Sequence, residues 1–189
     1  MNSEEALKKL IDGNARYAAG TIWQHRVSGE TRRELLSKGQ NPYAAIVGCS
    51  DSRAPMELIF DAGLGELFII RTAGNVVSDI GLGSLEYAVS VLKTPLILVV
   101  GHQACGAVHA AIKGGIFSPP MQAVIDEICH CSDKDICSCD QEEIENKNIL
   151  YTLKKIAENP IISKAVSEGK LKTLGGKYSL ETGLVTFFD

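Results

Sequence analysis

The sequence predicts an α/β domain with a mainly parallel central β-sheet flanked by helices and preceded by an N-terminal helical arm. Three short runs rich in Ile, Val or Leu each end at a polar or glycine-containing turn, as buried parallel strands do. Stretches with helical spacing of apolar residues lie before, between and after these runs, and this alternation is typical of a parallel sheet. The length of 189 residues is enough for one domain with a sizeable hydrophobic core, so residues 1–189 are expected to form a single domain.

The N-terminal arm is expected to comprise residues 1–38. Its first helix is predicted over 3–19, where apolar residues recur at helical spacing and Asn2 with Glu5 resembles a capping box. A second helix is predicted near 29–38. The apolar residues of the first helix have no obvious place in a small three-layer domain, which favours contact with a second subunit.

The remaining elements follow from apolar runs and turn residues. The predicted buried strands are Tyr43–Val47, Leu67–Ile70 and Pro95–Val100. The predicted helices are 82–92, 106–113 and 149–168. Residues 114–148 are polar, acidic and rich in cysteine, so they are interpreted as a variable loop or excursion. A terminal hairpin is expected from two runs that flank a glycine-containing turn, Lys170–Leu174 and Leu184–Phe188.

Composition and charge exclude several classes of function. The net charge is −4, whereas a nucleic-acid-binding domain usually has a basic face. No apolar run approaches the roughly 20 residues of a membrane helix. The first residues are charged and lack the layout of a signal peptide, so a cytoplasmic location is expected. In that reducing compartment, clustered cysteines indicate metal binding or catalysis more often than disulfides.

Two motifs carry residues that could bind a metal or take part in catalysis. Cys49-Ser50-Asp51-Ser52-Arg53 directly follows the first predicted strand, and Gly101-His102-Gln103-Ala104-Cys105-Gly106 directly follows the third. Ligand sites in open α/β sheets form outside the carboxyl ends of the strands. Both motifs are therefore expected at the same edge of the sheet, where they can meet.

The donor atoms of these motifs suit zinc. Thiolate and imidazole are preferred zinc ligands, and Cys49, His102 and Cys105 would leave a fourth position open for water, as in catalytic sites. The alternative is two buried cysteines and a helix-capping histidine, since buried free cysteine is common. That alternative does not explain why Asp51 and Arg53 stand at the same strand end, because such residues are rarely buried unless paired.

Asp51 and Arg53 are two residues apart, so both can point into one cleft from an extended turn. An arginine can hold a carboxylate through two hydrogen bonds. Asp51 held in this way could accept a hydrogen bond from metal-bound water. An unpaired Asp51 could instead bind the metal itself and displace that water. The alternative is a surface ion pair of little energetic value, which would be preferred if the cysteines were absent.

The two motifs resemble the signature of the β-class carbonic anhydrases, Cys-x-Asp-x-Arg followed about fifty residues later by His-x-x-Cys-Gly. The likeness covers most of the chain, over 6–19, 39–77, 81–111 and 148–186. The resemblance implies one zinc ion per subunit on Cys49, His102 and Cys105, with Asp51 and Arg53 as the catalytic dyad. It implies reversible hydration of CO2 to bicarbonate and a proton, by attack of zinc-bound hydroxide.

The resemblance also implies features of the substrate cleft and of assembly. Gln40, Phe68 and Tyr87 match positions that line the cleft in plant-type members. Ile46 stands where members with a regulatory bicarbonate pocket carry Trp, so this chain resembles the constitutively open subgroup. Members use the N-terminal arm to embrace a second subunit, and a homodimer or tetramer is therefore expected.

Two other functions stay open at the level of sequence. Hydrolases of carbonyl sulfide or carbon disulfide resemble the same family and keep the same metal motif. A zinc-sensing or zinc-storage protein without turnover would instead use the cysteine-rich segment. The sequence also leaves open whether the cysteines of that segment bind a second metal or form a reduced, exposed loop: Cys129, Cys131, Cys137 and Cys139.

Overall fold

The computed structural model describes residues 1–22, 27–133 and 135–188. The α-helices are α1 Ser3–Ala18, α2 Gly29–Lys38, α3 Met56–Ile59, α4 Asp79–Ser90, α5 Gly106–Lys113, α6 Pro119–Cys129, α7 Gln141–Ala157 and α8 Pro160–Ser167. The strands are β1 Ala44–Cys49, β2 Leu67–Thr72, β3 Leu96–His102, β4 Lys172–Tyr178 and β5 Val185–Phe188. Part of the expected arm lies outside the described residues, including Trp23 and His25, which the sequence assigns to packing or surface. None of the described helices is long and apolar enough to cross a membrane.

The five strands form one sheet in the order β2-β1-β3-β4-β5. Strand β1 pairs in parallel with β2 and β3, and β3 pairs in parallel with β4. Only β5 runs antiparallel to its neighbour β4 among the strands described. The expected mainly parallel sheet and the terminal hairpin are therefore confirmed. Every residue of β1 and β3 is buried, as expected for central strands covered on both faces.

Helices cover both faces of this sheet because alternate residues of its strands point to opposite sides. On one face, Ile46 and Leu98 pack with apolar residues of α1 and α3. On the other face, Val47 and Val99 pack with apolar residues of α4, α7 and α8. The result is the three-layer arrangement that the alternation of elements predicts.

Helix α1 packs on its own domain, which corrects the interpretation that its apolar residues have no place there. Its capping box between Asn2 and Glu5 is present. Ala6 and Leu10 are fully buried in the core on the α3 side of the sheet. The helix approaches α3 so closely that a Cβ at Gly13 would overlap a backbone carbonyl. The apolar spacing of α1 thus serves the subunit's own core.

Asn14 joins α1 to the end of the chain. Its side-chain amide is 3% exposed and donates to the carbonyl oxygens of Ile59, at 3.2 Å, and Gly183, at 2.9 Å. Its Oδ1 accepts from the N–H of Val185 at 2.8 Å. One buried side chain therefore satisfies backbone groups of two distant segments, as buried polar groups require.

Helix α2 differs from α1 because it buries no residue within the subunit. Leu36 is 89% exposed. An exposed apolar residue on a helix without a core face is compatible with the expectation that this part of the arm contacts a second subunit.

The segment 114–148 is not a loop throughout, so that interpretation is wrong over two stretches. Helix α6 begins with prolines in its first turn and buries Ile125 and Ile128, three residues apart. Helix α7 begins at Gln141, where the Asp140 side chain caps it. The acidic composition obscured a helical spacing of isoleucines that the core requires.

Candidate metal centre

Neighbouring strands bring the two sequence motifs together. Cys49 is the last residue of β1, His102 is the last residue of β3, and Cys105 is the N-cap of α5. Because β1 and β3 are adjacent and parallel, their carboxyl ends meet. The three ligand atoms lie within 4.8 Å of one another, and the two sulfur atoms are 3.9 Å apart. All three residues are buried.

The orientation of His102 supports a metal in this position. Its Nδ1 lies 2.9 Å from the carbonyl oxygen of Gln103, and a carbonyl can only accept, so Nδ1 carries the proton. In neutral His102, Nε2 therefore carries a lone pair. Nε2 is buried and has no hydrogen-bond partner. Such an orphaned acceptor beside two thiols fits a cation with nitrogen and sulfur ligands.

The Cys49 sulfur is prepared as a thiolate. It accepts hydrogen bonds from the backbone N–H groups of Asp51, at 3.4 Å, and Gly74, at 3.3 Å. The contact with Cys105, aided by His102 and the two N–H groups, lowers the pKa of Cys49 to about 4 against the effect of burial. Gly74 has φ +69° and lies against Ile128, so its loop needs glycine to bring the N–H to the sulfur.

The thiol of Cys105 holds its proton in the absence of metal, and the pKa of His102 is raised. The contact with Cys49 and burial raise the pKa of the Cys105 thiol far above its usual range. Burial lowers the pKa of His102, but Cys49, Gln103 and Asp51 together outweigh this effect and raise that pKa. Two sulfurs this close cannot both be anionic without a cation. A metal ion would therefore stabilise the fully ionised form of the site.

Arg53 holds Asp51 beside the ligand group. Its Nε and Nη2 donate to the two carboxylate oxygens at 2.9 and 2.8 Å. These hydrogen bonds hold the pKa of Asp51 well below its usual range. Oδ2 of Asp51 lies 3.8 Å from Nε2 of His102. The carboxylate is thus ionised, oriented and adjacent to the proposed metal ligands.

Arg71 supports the same turn, although neither sequence motif includes it. From β2, its Nε donates to the carbonyl oxygen of Cys49 at 2.9 Å, and its Nη2 donates to that of Asp51 at 2.7 Å. One guanidinium therefore fixes the backbone on both sides of Ser50. The feature of the sequence that could have identified Arg71 is its charge near the end of an otherwise apolar strand.

Helix α7 supplies buried polar residues behind both cysteines. Glu145 accepts from the backbone N–H of Cys105 at 3.0 Å. Asn148 donates to the carbonyl oxygen of Gly74 at 2.6 Å. Both side chains are almost completely buried. Neither was predicted from the sequence, because 114–148 was interpreted as a loop. Their spacing of three residues places them on one face only if the segment is a helix.

Three residues expected in the substrate cleft lie away from the metal ligands of their own chain. Gln40 is exposed and precedes β1, at the opposite end of that strand from Cys49. Phe68 lies four residues before the level of Cys49 on β2, or ~13 Å along the strand. Its ring packs against Tyr87, with centroids 6.2 Å apart. One subunit therefore does not assemble the whole expected site.

The additional cysteines do not form a second compact ligand group. Among the residues whose placement is given, the only cluster of at least three close metal-donor atoms is that of Cys49, His102 and Cys105. The other four cysteines are free and range from half-buried to fully exposed. Burial raises the pKa of Cys131 to about 11, which disfavours its thiolate.

An α/β sheet with a Cys-His-Cys donor group at its carboxyl edge defines a class of metal-binding domain, and comparisons place the chain within it. A family profile described as carbonic anhydrase matches residues 44–185. Carbonic anhydrase 2 of Mycobacterium tuberculosis (strain ATCC 25618 / H37Rv) is 38% identical over 197 aligned residues, covering 100% of this chain and 94% of that protein.

Solved structures agree with the family profile. A tetrameric β-carbonic anhydrase from Sordaria macrospora has a TM-score of 0.73 and 27% identity, covering 85% of this chain and 87% of that chain. The β-carbonic anhydrase of Coccomyxa, solved with acetazolamide, has a TM-score of 0.74 and 28% identity, covering 84% and 77%. The chain belongs to the β-class carbonic anhydrase family and is an enzyme of that family. The resemblance inferred from the two motifs is thereby confirmed.

Proposed function

We propose that this enzyme reversibly hydrates CO2 to bicarbonate and a proton with one zinc ion per subunit held by Cys49, His102 and Cys105. The observation that carries the proposal is the buried trio of donor atoms, with the orphaned Nε2 of His102 facing two sulfurs. Three protein ligands of this kind leave a position for solvent. When bound, zinc lowers the pKa of water and so supplies a hydroxide nucleophile.

Asp51 and Arg53 orient the nucleophile in this proposal. An ionised carboxylate can only accept hydrogen bonds, so Asp51 would accept the O–H of the nucleophile and turn a lone pair toward CO2. Arg53 keeps the carboxylate ionised and fixed through its two hydrogen bonds. The proton released by the reaction passes to solvent or buffer.

Two thiolates reduce the Lewis acidity of the metal. Each donates more charge than a neutral imidazole, so the pKa of water in this site should exceed the value of about 7 typical of a site with neutral ligands. Activity should therefore rise toward alkaline pH. The six free cysteines suit a reducing compartment such as the cytoplasm, which remains the proposed location.

The complete site is proposed to need a second copy of the chain, as a homodimer or within a tetramer. Gln40, Phe68 and Tyr87 lie too far from the metal ligands of their own subunit to line its cleft. Strand β2 is an edge strand, and the neighbouring helix α4 exposes apolar side chains: Ile80, Tyr87 and Val91. An exposed apolar patch beside a free strand edge favours association.

The first experiment measures CO2 hydration and zinc content together. The wild type should contain about one zinc per subunit and hydrate CO2, whereas Cys105→Ala should lose both properties. Cys139→Ala is the matched control, because it removes a cysteine outside the trio. Full zinc content in Cys105→Ala would refute the ligand assignment. Faster hydrolysis of carbonyl sulfide than hydration of CO2 would refute CO2 as the substrate.

Subunit mixing tests the shared site. Gln40→Leu and Cys105→Ala are each expected to be impaired as pure proteins. In a mixed dimer, the zinc ligands of the first variant would meet the intact Gln40 of the second, so activity should reappear. If Gln40 served its own subunit, every site in the mixture would remain defective. No recovery after verified subunit exchange would refute the shared site.

A further inference from the structure

Glu145 is a buried carboxylate with no part in the proposed reaction. It is 4% exposed and lies on α7, 40 residues after Cys105. A charged side chain is rarely buried unless it is paired and hydrogen-bonded. Its contacts therefore indicate what it does for the site.

Those contacts converge on the backbone of one proposed metal ligand. Oε1 of Glu145 accepts from the N–H of Cys105 and from Nε2 of Gln141, both at 3.0 Å. The same Nε2 lies 3.4 Å from the carbonyl oxygen of Cys105. Oε2 of Glu145 pairs with Nζ of Lys177 at 3.2 Å. Helix α7 thus contacts both backbone polar groups of Cys105, and strand β4 supplies the cation that pairs with Glu145.

The backbone at this point is strained and needs such support. Ala104, immediately before Cys105, has φ +54°, in the left-handed region that disfavours residues with a Cβ. Cys105 then begins α5 without a side-chain cap. A strained residue keeps its conformation only where surrounding contacts fix it. The carboxylate of Glu145 is the charged acceptor for the N–H that follows this residue.

We propose that Glu145 is a positioning residue that fixes the sulfur of Cys105 for metal binding, through the hydrogen bond to the Cys105 N–H. The inference rests on the proposed role of Cys105 as a zinc ligand and assigns Glu145 no contact with substrate. Loss of the acceptor leaves a buried N–H without a partner and frees the peptide between Ala104 and Cys105. Zinc should then dissociate faster, and the geometry of the ligands should change.

Three variants separate the hydrogen bond from the charge. Glu145→Ala removes the acceptor. Glu145→Gln removes the charge but keeps an oxygen that can accept from the Cys105 N–H. Glu142→Gln is the matched control, because Glu142 pairs with the same Lys177 at 3.2 Å but is exposed. If Glu145→Ala does not fold, Glu145→Asp replaces it in the experiment. Aspartate retains the charge, but its side chain is one methylene shorter, so its carboxylate lies farther from the Cys105 N–H.

The readouts are zinc transfer to a chelator and the visible absorption of the cobalt-substituted protein. Outer contacts to metal ligands typically change affinity by about 10- to 100-fold, so Glu145→Ala should lose zinc at least about tenfold faster than wild type. Its cobalt bands should also shift, because the ligand geometry has changed. Glu145→Gln and Glu142→Gln should retain the wild-type spectrum and release zinc at nearly the wild-type rate.

Two results would overturn the proposal. Wild-type zinc release and cobalt bands in Glu145→Ala, or in Glu145→Asp if that variant replaces it, would show that Cys105 is placed without this contact. Equal defects in Glu145→Gln and Glu145→Ala would assign the effect to charge instead of the hydrogen bond. A wild-type protein without zinc or CO2 hydration would instead refute the proposed function, so the two failures are distinguishable.

Discussion

The guanidinium group of Arg53 donates to both carboxylate oxygens of Asp51, and the backbone N–H of Arg53 donates to Oδ1 as well, at 2.9 Å. Nη2 of Arg53 also donates to the carbonyl oxygen of Ala104 at 3.1 Å. One side chain therefore connects the turn after β1 with the turn after β3. The carboxylate has little freedom to rotate while these bonds persist.

Replacement of Arg53 should abolish activity without releasing metal. In Arg53→Ala, all three proposed ligands remain, but Asp51 is free to turn and take the open ligand position, since carboxylates bind zinc well. CO2 hydration should fall at least about tenfold, equivalent to ~1.4 kcal/mol of barrier, at every pH. Zinc content should stay at the wild-type level. Stopped-flow assays and elemental analysis across pH give both quantities.

Arg53→Lys is the control for charge, because lysine keeps the positive charge but lacks the two-pronged geometry. It should recover part of the activity. Near-normal turnover in Arg53→Ala would refute the dyad. A crystal structure of that variant with Asp51 still turned away from the metal would assign Arg53 a direct role in handling substrate.

Zinc binding should release about one proton from the sulfur ligands, and a second from the bound water at a pH above the pKa of that water. Cys49 has a pKa of about 4 and is already ionised, whereas Cys105 has a raised pKa and keeps its proton until metal displaces it. Affinity for zinc should therefore rise with pH. As pH falls through the raised pKa of His102, the number of released protons should increase.

Calorimetry of zinc binding in two buffers with different ionisation enthalpies measures this number directly. The metal-free wild type is titrated at several pH values. Release of three protons under alkaline conditions would mean that both sulfurs are protonated in the metal-free site, contrary to the expected asymmetry.

The four cysteines outside the metal centre should be dispensable for catalysis. They form no close donor group of three or more in the described part of the chain. Replacing all four by serine should leave the rate of CO2 hydration within about twofold of wild type. A loss greater than about tenfold, or ~1.4 kcal/mol, would indicate that the working metal lies elsewhere. The replaced positions are Cys129, Cys131, Cys137 and Cys139.

Alanine at Gly13 should destabilise the fold. Its Cβ would overlap the carbonyl oxygen of Phe60, a backbone atom that cannot move without shifting α3. Overpacking of this kind costs roughly 1–3 kcal/mol. Gly83→Ala is the matched control within helix α4, because its added methyl group would extend into open space. It should be neutral or stabilising by up to about 1 kcal/mol. Denaturant unfolding of both variants checks the difference.

Much of the fold followed from local patterns. The strands β1 and β3 were visible because central parallel strands read as continuous apolar runs. Helix α6 was missed because two isoleucines carry its buried face within an acidic, cysteine-rich segment. The single predicted helix over 149–168 is in fact α7 and α8, separated at Asn159, whose side chain caps α8. Local composition does not reveal which face of a helix will be buried in the core.

The proposed ligands were predictable because they stand at strand ends within short motifs. Their supporting residues were not, since Arg71 and Glu145 contact the site through backbone groups that any residue could offer. Such contacts depend on which elements become neighbours in space. Gln40 was predicted to line the cleft, yet within one subunit it lies at the far end of β1. The sequence of one chain does not indicate which subunit of an oligomer supplies a given residue to a site.

The hydrogen bonds of Asn14 also constrain how the protein is made on the ribosome. Its partner Val185 lies 171 residues later, so Asn14 cannot complete its hydrogen bonds until Val185 has been synthesised. At about 5–20 residues per second, Asn14 waits roughly ten to thirty seconds for this partner. During that interval the polar side chain of Asn14 lacks two of the three backbone partners that it has in the folded protein.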